Sequence, residues 1–293
     1  MAFLPAVLLL AGAVSLQAVG APGRNPASKI FVTDVQGKAQ IDTGDRVEDL
    51  TKKSVHAAEG AVIETRKNRA DDPQDRNSSS MVYSNGTGIY FAADTRLEVK
   101  KFVQEPFAPN RTDMDVEPSI SETQAYLVHG TIGLCTGQLA AGTSMVYRTA
   151  NATINVRGRR LLIESHDAYT RVAMLEGEST VRGGAGSSVE PGGQTLAAGQ
   201  QAIIRPGPPG EAPVVEISDI PPSEKASLGD EVSIACLAKR TVYFDVGPPG
   251  GAGRVGAFGS GAAGDGPPEI VPVEVVPADL PVQYTVSPAS LAK

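Results

Sequence analysis

Short apolar runs rich in β-branched residues recur every eight to twelve positions from residue 29 onward, with turn residues between them. In residues 96–99 and 153–157, apolar and polar positions alternate. Such alternation places one face of a strand against a core and the other in water. Regularly spaced short strands are typical of an all-β sandwich, barrel or solenoid. Further strands are predicted at residues 29–35, 170–175, 202–204, 232–237 and 242–246.

One dipeptide gives the clearest turn signal. Asn85-Gly86 separates two strand candidates at residues 81–84 and 87–91. Because Asn and Gly both tolerate positive φ, the pair predicts a hairpin with a type I′ turn.

Residues 45–59 do not follow the strand pattern. Their apolar and small residues fall near helical spacing, the positions between are charged, and Gly44 and Gly60 bracket the segment. Periodicity alone predicts a helix here. The family resemblance given below favours a strand, which is the interpretation we adopt.

The N-terminal residues predict export. Residues 1–23 carry no charged side chain, and residues 3–16 are almost continuously apolar. That length fits the hydrophobic region of a secretory signal and is short for a bilayer span, which needs about 20 apolar residues. With small residues at Ala18 and Gly20, we expect a signal peptide over residues 1–20 and no membrane span after its cleavage. A retained N-terminal anchor is the alternative.

Composition then divides the chain. Of its 293 residues 41% are hydrophobic, which excludes general disorder, and a net charge of -7 makes a nucleic-acid partner unfavourable. Residues 206–293 hold 12 of the 32 glycines and 14 of the 22 prolines. We therefore predict a compact β-domain over residues 29–205. The remainder, residues 206–293, is predicted as a Pro/Gly-rich extension with a few short strands at about 214–246 and a linker at 247–268.

Two cysteines, Cys135 and Cys236, leave two interpretations open. In an exported chain they can form a persistent disulfide, which across a loop of roughly 100 residues is worth about 4–5 kcal/mol in the entropy model. Two buried free thiols are the alternative.

Motifs for catalysis or metal binding are scarce. Ser165-His166-Asp167 has the residue types of a hydrolytic triad, but neighbours on a strand point to opposite faces and cannot relay a proton. The histidines show no ligand-like spacing; they are His56, His129 and His166. We therefore predict no enzyme, no cofactor, no metal site and no catalytic residue.

Three further patterns have ordinary interpretations. Residues 244–259 resemble a phosphate-binding glycine loop in composition. Pro248 and Pro249 lack the backbone N–H groups that would bind phosphate, so a linker is predicted. Residues 113–122 are acidic without the spacing of a calcium loop, so a solvated loop is predicted. Asn-x-Ser/Thr triplets, which accept glycans in eukaryotic secreted proteins, begin at Asn77, Asn85, Asn110 and Asn151.

An ordered set of motifs resembles the FecR domain family of bacteria. The resemblance covers about residues 29–205, and its core is residues 145–205. Its motifs are Tyr147-Arg148-Thr149, Asn155-Val156-Arg157-Gly158, the run VAMLEG at residues 172–177, Gly192-Gly193-Gln194-Thr195-Leu196 and Ala198-Gly199-Gln200-Gln201-Ala202, with residues 50–65, 81–94 and 97–102 upstream. Arg159-Arg160 departs from the family, which usually has Gly then Thr there.

The resemblance implies an all-β FecR-type domain, β-solenoid or sandwich-like, in which four structural glycines mark chain reversals: Gly86, Gly158, Gly177 and Gly199. Family regulators also carry a cytoplasmic segment and a transmembrane helix that reach a sigma factor. Neither is expected in this chain, so no sigma-factor contact is expected.

The function predicted from this pattern is a non-enzymatic, secreted or periplasmic module that binds an unknown envelope protein or polysaccharide in sensing or signalling. The alternative is a structural or adhesive protein that binds surface glycan, although the absence of Trp weighs against it. An enzyme using Glu164 and Glu176 is a third possibility, which a pocket holding both carboxylates would revive.

Overall fold

The computed structural model describes residues 25–107, 114–184, 192–208, 211–247 and 269–275. The predicted signal peptide over residues 1–20 and the predicted linker, apart from residue 247, lie outside these residues. Within them the chain consists mainly of β-strands with one α-helix, which confirms the all-β prediction.

Nine strands form the first half of the described chain. They are β1 (Lys29–Gln36), β2 (Ala39–Asp42), β3 (Val47–Asp49), β4 (Val55–Ala57), β5 (Val62–Thr65), β6 (Ser78–Tyr83), β7 (Gly88–Phe91), β8 (Thr95–Gln104) and β9 (Ser121–Cys135). Residues 45–59, where periodicity alone predicts a helix, contain the short strands β3 and β4.

The second half adds ten strands and the helix. They are β10 (Ser144–Arg148), β11 (Ala152–Val156), β12 (Arg160–Ser165), β13 (Thr170–Glu176), β14 (Glu178–Gly183), β15 (Gln194–Ala197), β16 (Gln200–Arg205), β17 (Val214–Asp219), α1 (Pro222–Lys239), β18 (Val242–Gly247) and β19 (Glu269–Glu274).

The strands pair into two ladders that share β9. The first ladder runs in the order β3-β2-β5-β8-β9-β10-β11-β14-β15. The second runs in the order β4-β1-β6-β7-β9-β12-β13-β16-β17. All of these pairs are antiparallel except β9 with β10. Strand β9 therefore joins the two halves of the chain in both ladders.

The buried faces of both ladders contribute to one hydrophobic core. Burial alternates along Thr95–Val99 of β8, as the sequence pattern predicts for residues 96–99, and again along the first part of β9. Representative fully buried members are Ile30, Ile41, Phe91, Leu97, Leu127, Ile154, Ile163 and Val172. Gly130 lies where β9 passes from one ladder to the other, with φ +94 and the backbone of Thr95 against it. A side chain there would be strained and sterically blocked.

Burial of Ile132–Cys135 is continuous rather than alternating because helix α1 covers the outer face of the second ladder. Gly88 and Gly133 lie directly beneath the helix, and a Cβ on Gly88 would fall 2.1 Å from the carbonyl oxygen of Ala235. Absent side chains at these positions allow the helix backbone to approach the strands closely.

The predicted strand over residues 232–237 is wrong, because this segment lies within α1. Leu228, Val232 and Ala235 follow helical spacing and are the buried face of the helix. Pro222 lies in the first turn of the helix, where a backbone N–H would have no acceptor within the helix, so its missing N–H costs nothing. Lys239 in the last turn complements the helix dipole.

The ordered structure continues past residue 206. Strand β17 pairs along its whole length with β16 and so extends the second ladder. Strands β18 and β19 form a separate two-stranded sheet, whose Val242, Phe244 and Ile270 pack with Phe31 of β1. The helix, β17 and this small sheet are thus packed on the predicted FecR-like domain. In the described residues, no helix is long and apolar enough to cross a membrane.

Candidate functional site

Of the four glycines singled out in the sequence, only Gly86 lies at a chain reversal, in the β6–β7 hairpin. Gly158, Gly177 and Gly199 lie instead where the chain passes from one ladder to the other without reversing, between β11 and β12, β13 and β14, and β15 and β16. Gly86, Gly177 and Gly199 have φ of +81, +89 and +85. Gly158 lacks a positive φ, but a Cβ there would lie 2.1 Å from Met174 Cε and 3.0 Å from two carbonyl oxygens. A Cβ on Gly177 would in turn meet Gly158 Cα at 2.8 Å. Gly158 and Gly177 thus allow the backbones to approach closely where these strands pass between the ladders.

The hairpin at Asn85-Gly86 forms between β6 and β7, but its turn is not type I′. Only Gly86 of the pair has positive φ, and its amide donates to the Tyr83 carbonyl at 2.8 Å. This is the geometry of a tight turn followed by a left-handed glycine. Asn85 is instead held by its side chain, which donates to Glu117 and Ser121.

The triad residue types do not form a triad. Ser165 is buried, and its hydroxyl donates to the Val128 carbonyl at 3.4 Å. The imidazole of His166 is partly exposed and stacks on Tyr169 with ring centroids 4.5 Å apart. His56 is held apart, against Ser54 and near Glu48, and burial lowers its pKa. The residues that the structure describes contain no cluster of three or more metal-ligating side chains.

Glu164 and Glu176 do not converge either. Glu164 is opposite Arg171 in the β12–β13 hairpin, whereas Glu176 is opposite Arg160 at the other end. Four residue steps along a strand separate the two positions by about 13 Å. Each carboxylate faces an arginine: Arg171 lies 3.4 Å from Glu164, and Arg159 lies 3.7 Å from Glu176.

The three Asn-x-Ser/Thr asparagines within the described residues are buried structural residues. Asn77 accepts from the Lys38 amide at 2.7 Å, and Asn151 donates to the His166 carbonyl at 3.2 Å. Asn85 is held as described above. Asn110 lies outside the described residues.

The predicted solvated loop at residues 113–122 contains a buried carboxylate. Glu117 is 5% exposed and accepts four hydrogen bonds. Its donors are Asn85 Nδ2, Ser121 Oγ, the Ala140 amide and Thr143 Oγ1. The loop prediction is therefore wrong at this residue, which fastens the hairpin turn, strand β9 and the segment before β10 to one another.

Cys135 and Cys236 form a disulfide, with the two Cα atoms 5.1 Å apart. This decides between the two interpretations that the sequence leaves open. The bond joins the end of β9 to α1 and so fixes the helix on the second ladder. Arg171 adds an ion pair to Glu224 in the first turn of the helix.

Two cavities flank α1. On one side lies the polar groove, a cavity of about 510 Å³. Its lining includes Asp34, Gln36, Arg76, Ser78, Tyr90 and Glu231. Burial raises the pKa of Glu231, helped by the nearby Glu164 carboxylate, and burial together with Glu231 raises the pKa of Tyr90.

On the other side lies the basic cavity, of about 500 Å³, beside the disulfide. Four cations and two carboxylates line it: Arg159, Arg160, Lys239, Arg240, Asp115 and Glu176. Lys239 is 5% exposed, and its Nζ lies 3.2 Å from Asp115 Oδ1. Burial lowers the pKa of Lys239, the hydrogen bond and charge of Asp115 partly offset this, and Arg159 and Arg240 lower the pKa further. The hydrogen bond from Lys239 chiefly holds the pKa of Asp115 below its usual range, and Arg159 and Arg240 add to this.

Two apolar side chains stand on the outer surface of the helix. Ile234 is 39% exposed and also lines the polar groove, and Leu237 is 64% exposed and also lines the basic cavity. The exposed surface of the helix therefore carries two apolar side chains, with the polar groove on one side and the basic cavity on the other.

Comparisons with known proteins give a limited result. The chain matches no family model and no curated protein. Two similar solved structures are of a "putative anti-sigma factor" from Parabacteroides distasonis ATCC 8503, at 2.50 and 1.65 Å resolution. Each is 14% identical, with TM-scores of 0.37 and 0.36. The match covers 57% of this chain and 62% of the other, so less than two thirds of those proteins is represented.

Proposed function

We propose that this chain is an exported, non-enzymatic, FecR-like module that binds a protein or another cell-envelope component in envelope sensing or signalling. The observation that carries the proposal is the exposed apolar pair Ile234 and Leu237 between two polar cavities. Apolar anchors with a polar surround are the usual layout of a protein-binding surface. The proposal includes no sigma-factor contact, no nucleic acid and no cofactor.

The disulfide supports the proposal in two ways. Disulfides persist in oxidising compartments outside the cytosol, which agrees with the apolar stretch at residues 3–16. The Cys135–Cys236 bond also ties the helix to the strand beneath it. A surface held in its binding conformation loses less conformational entropy when a partner docks.

The test is site-specific photo-crosslinking of the full chain in an envelope fraction. A photo-reactive residue replaces Leu237, and a matched one replaces Val47, which is 60% exposed on β3 of the first ladder. We expect a discrete adduct from position 237 that is absent from position 47 and is lost when Ile234→Asp is added. Identical adducts from both positions, or an adduct unaffected by Ile234→Asp, would contradict the proposal.

The polar groove favours a second candidate, the binding of a surface glycan. Its carboxylate, amide, guanidinium and hydroxyl groups suit sugar hydroxyls, and the partly buried ring of Tyr90 supplies an apolar face. Titration with envelope polysaccharide tests this candidate against the variants Gln36→Ala and Tyr90→Ala. Saturable binding that these variants weaken at least tenfold supports it, whereas binding that they leave unchanged refutes it.

A further inference from the structure

The basic cavity gathers cations from two elements that are far apart in the sequence. Arg159 and Arg160 lie in the turn before β12 and at its first residue, and Lys239 and Arg240 lie at the end of α1. Cations at a helix C-terminus complement the helix dipole, which explains Lys239 and Arg240 without any ligand. It does not explain why the two arginines from the β-ladder face the same space.

The charges around this space do not balance. The four cations face two carboxylates, Asp115 and Glu176, which leaves two positive charges uncompensated among the lining residues. Arg159 lies 3.9 Å from Asp115 and 3.7 Å from Glu176, both beyond hydrogen-bond distance. Its guanidinium is therefore attracted to both carboxylates but is hydrogen-bonded to neither.

Arg160 gives a second, independent observation. Its Nη2 donates to Ser233 Oγ at 3.2 Å, whereas its Nε is buried and has no hydrogen-bond partner among the described residues. A buried guanidinium donor left without an acceptor costs free energy. Because this Nε has less than 1 Å² of accessible surface, a ligand in the cavity would reach Arg160 through its terminal nitrogens rather than through Nε. Burial chiefly lowers the pKa of Lys239, Asp115 opposes this, and Arg159 and Arg240 lower it further, so an added negative charge would favour the charged lysine.

We propose that the basic cavity binds a small ligand through an oxyanion group carrying two negative charges, either a phosphate ester or a dicarboxylate. Arginine forks match such groups with paired hydrogen bonds, and the buried lysine adds a point charge. The volume of about 500 Å³ leaves room for the rest of the ligand. The evidence for this site does not rest on the proposed protein binding at Ile234 and Leu237, although Leu237 also lines the basic cavity.

The experiment is calorimetric titration of the full chain at low ionic strength with two probes, inorganic phosphate and malonate. The test variant is Arg159→Gln with Arg240→Gln, both of whose side chains are exposed, so folding is expected to be retained. The control is Arg157→Gln, which removes one positive charge from an exposed position near the same turn but outside the lining of the cavity, and Arg159→Gln alone is the single-charge variant matched to it. Non-reducing mass spectrometry checks that each variant keeps the disulfide.

We expect saturable binding of one or both probes, weakened at least tenfold in the test variant, changed less than twofold in the control, and weakened by added salt. Preference for phosphate identifies the ligand class as a phosphate ester, and preference for malonate identifies it as a dicarboxylate. Two results would overturn the proposal. One is the absence of saturable binding of either probe at millimolar concentration, and the other is binding that the test variant leaves unchanged.

Discussion

Replacing Gly88 by alanine tests directly how the helix is seated on the second ladder. Gly88 does not have a positive φ, so its backbone accepts a side chain without strain. The new Cβ would lie 2.1 Å from the Ala235 carbonyl oxygen, more than an ångström inside the 3.4 Å at which ordinary contact begins, and 3.1 Å from Lys239 Cβ. The helix must move outward, and the disulfide to Cys236 restricts that movement.

The magnitude follows from overpacking of a fitted interface, which costs typically about 1–3 kcal/mol. We expect Gly88→Ala to lower the free energy of unfolding by about 2 kcal/mol, equivalent to roughly 4–8 °C in the thermal midpoint for a domain of this size. Urea unfolding followed by circular dichroism measures the free energy, and hydrogen exchange of the α1 amides reports whether the helix is the part that loosens.

Gly133→Ala is the matched control, because Gly133 lies under the same helix and its added Cβ would be 3.4 Å from Val232 Cα. At that distance the methyl group fits, and the reduced freedom of the unfolded chain makes the change neutral or stabilising by up to about 1 kcal/mol. Equal stability of the two variants would refute the argument that the close approach at Gly88 limits where the helix lies.

Three further predictions concern groups that hold this architecture together. Replacing Cys135 and Cys236 by alanine removes a cross-link between residues 101 positions apart, for which the entropy model gives about 4.7 kcal/mol, measurable by urea unfolding of the oxidised protein and the variant. Glu117→Ala leaves two buried and two partly buried donors without their acceptor and is expected to cost about 3 kcal/mol in the same assay, whereas Glu122→Ala, which removes a partly exposed pair with Lys101, is expected to cost less than about 1 kcal/mol. The folded-state pKa of Glu231 is raised above 4.5 chiefly by burial, so the wild type loses stability as pH rises from the unfolded-state value through the folded-state value. Glu231→Gln removes that loss, and its advantage in urea midpoint is expected to grow as pH rises above the ordinary glutamate pKa of 4.5; an advantage independent of pH would contradict this.

Local patterns in the sequence were sufficient for several strands of the two ladders, among them β1, β8, β11, β13 and β16, because a strand with one wet face alternates visibly. They did not predict β9, the strand that both ladders share, whose first residues fall in the predicted solvated loop. The hairpin at Asn85-Gly86 was predictable for a different reason, the turn chemistry of the Asn-Gly pair, although its turn is not the predicted type I′. Residues 232–237 were wrongly predicted as a strand because α1 has few large apolar residues, so its helical pattern is weak. Its buried stripe, Leu228, Val232 and Ala235, is visible only when the preceding residues are read at helical spacing from Pro222.

The candidate site is less accessible to sequence reasoning, because its residues come together only through non-local pairing. Arg160 and Ser233 are 73 positions apart and yet share a hydrogen bond, and nothing near either residue in the chain indicates the other. The Arg159-Arg160 departure from the FecR pattern was the one local signal, and the structure places it in the wall of the basic cavity. Glu117 gave no local signal, since its four donors come from three separate segments of the chain.

The polar groove and the basic cavity share α1 as a wall, which links both proposed binding activities to a single element of the fold. The helix packs closely on the second ladder at Gly88. It is also bonded to Cys135 through the disulfide and paired with Arg171 at its first turn. None of these contacts belongs to the main core, so the helix can loosen while the two ladders stay intact. Reduction of the disulfide is therefore expected to weaken binding at both sides of the helix together, before the β-structure unfolds.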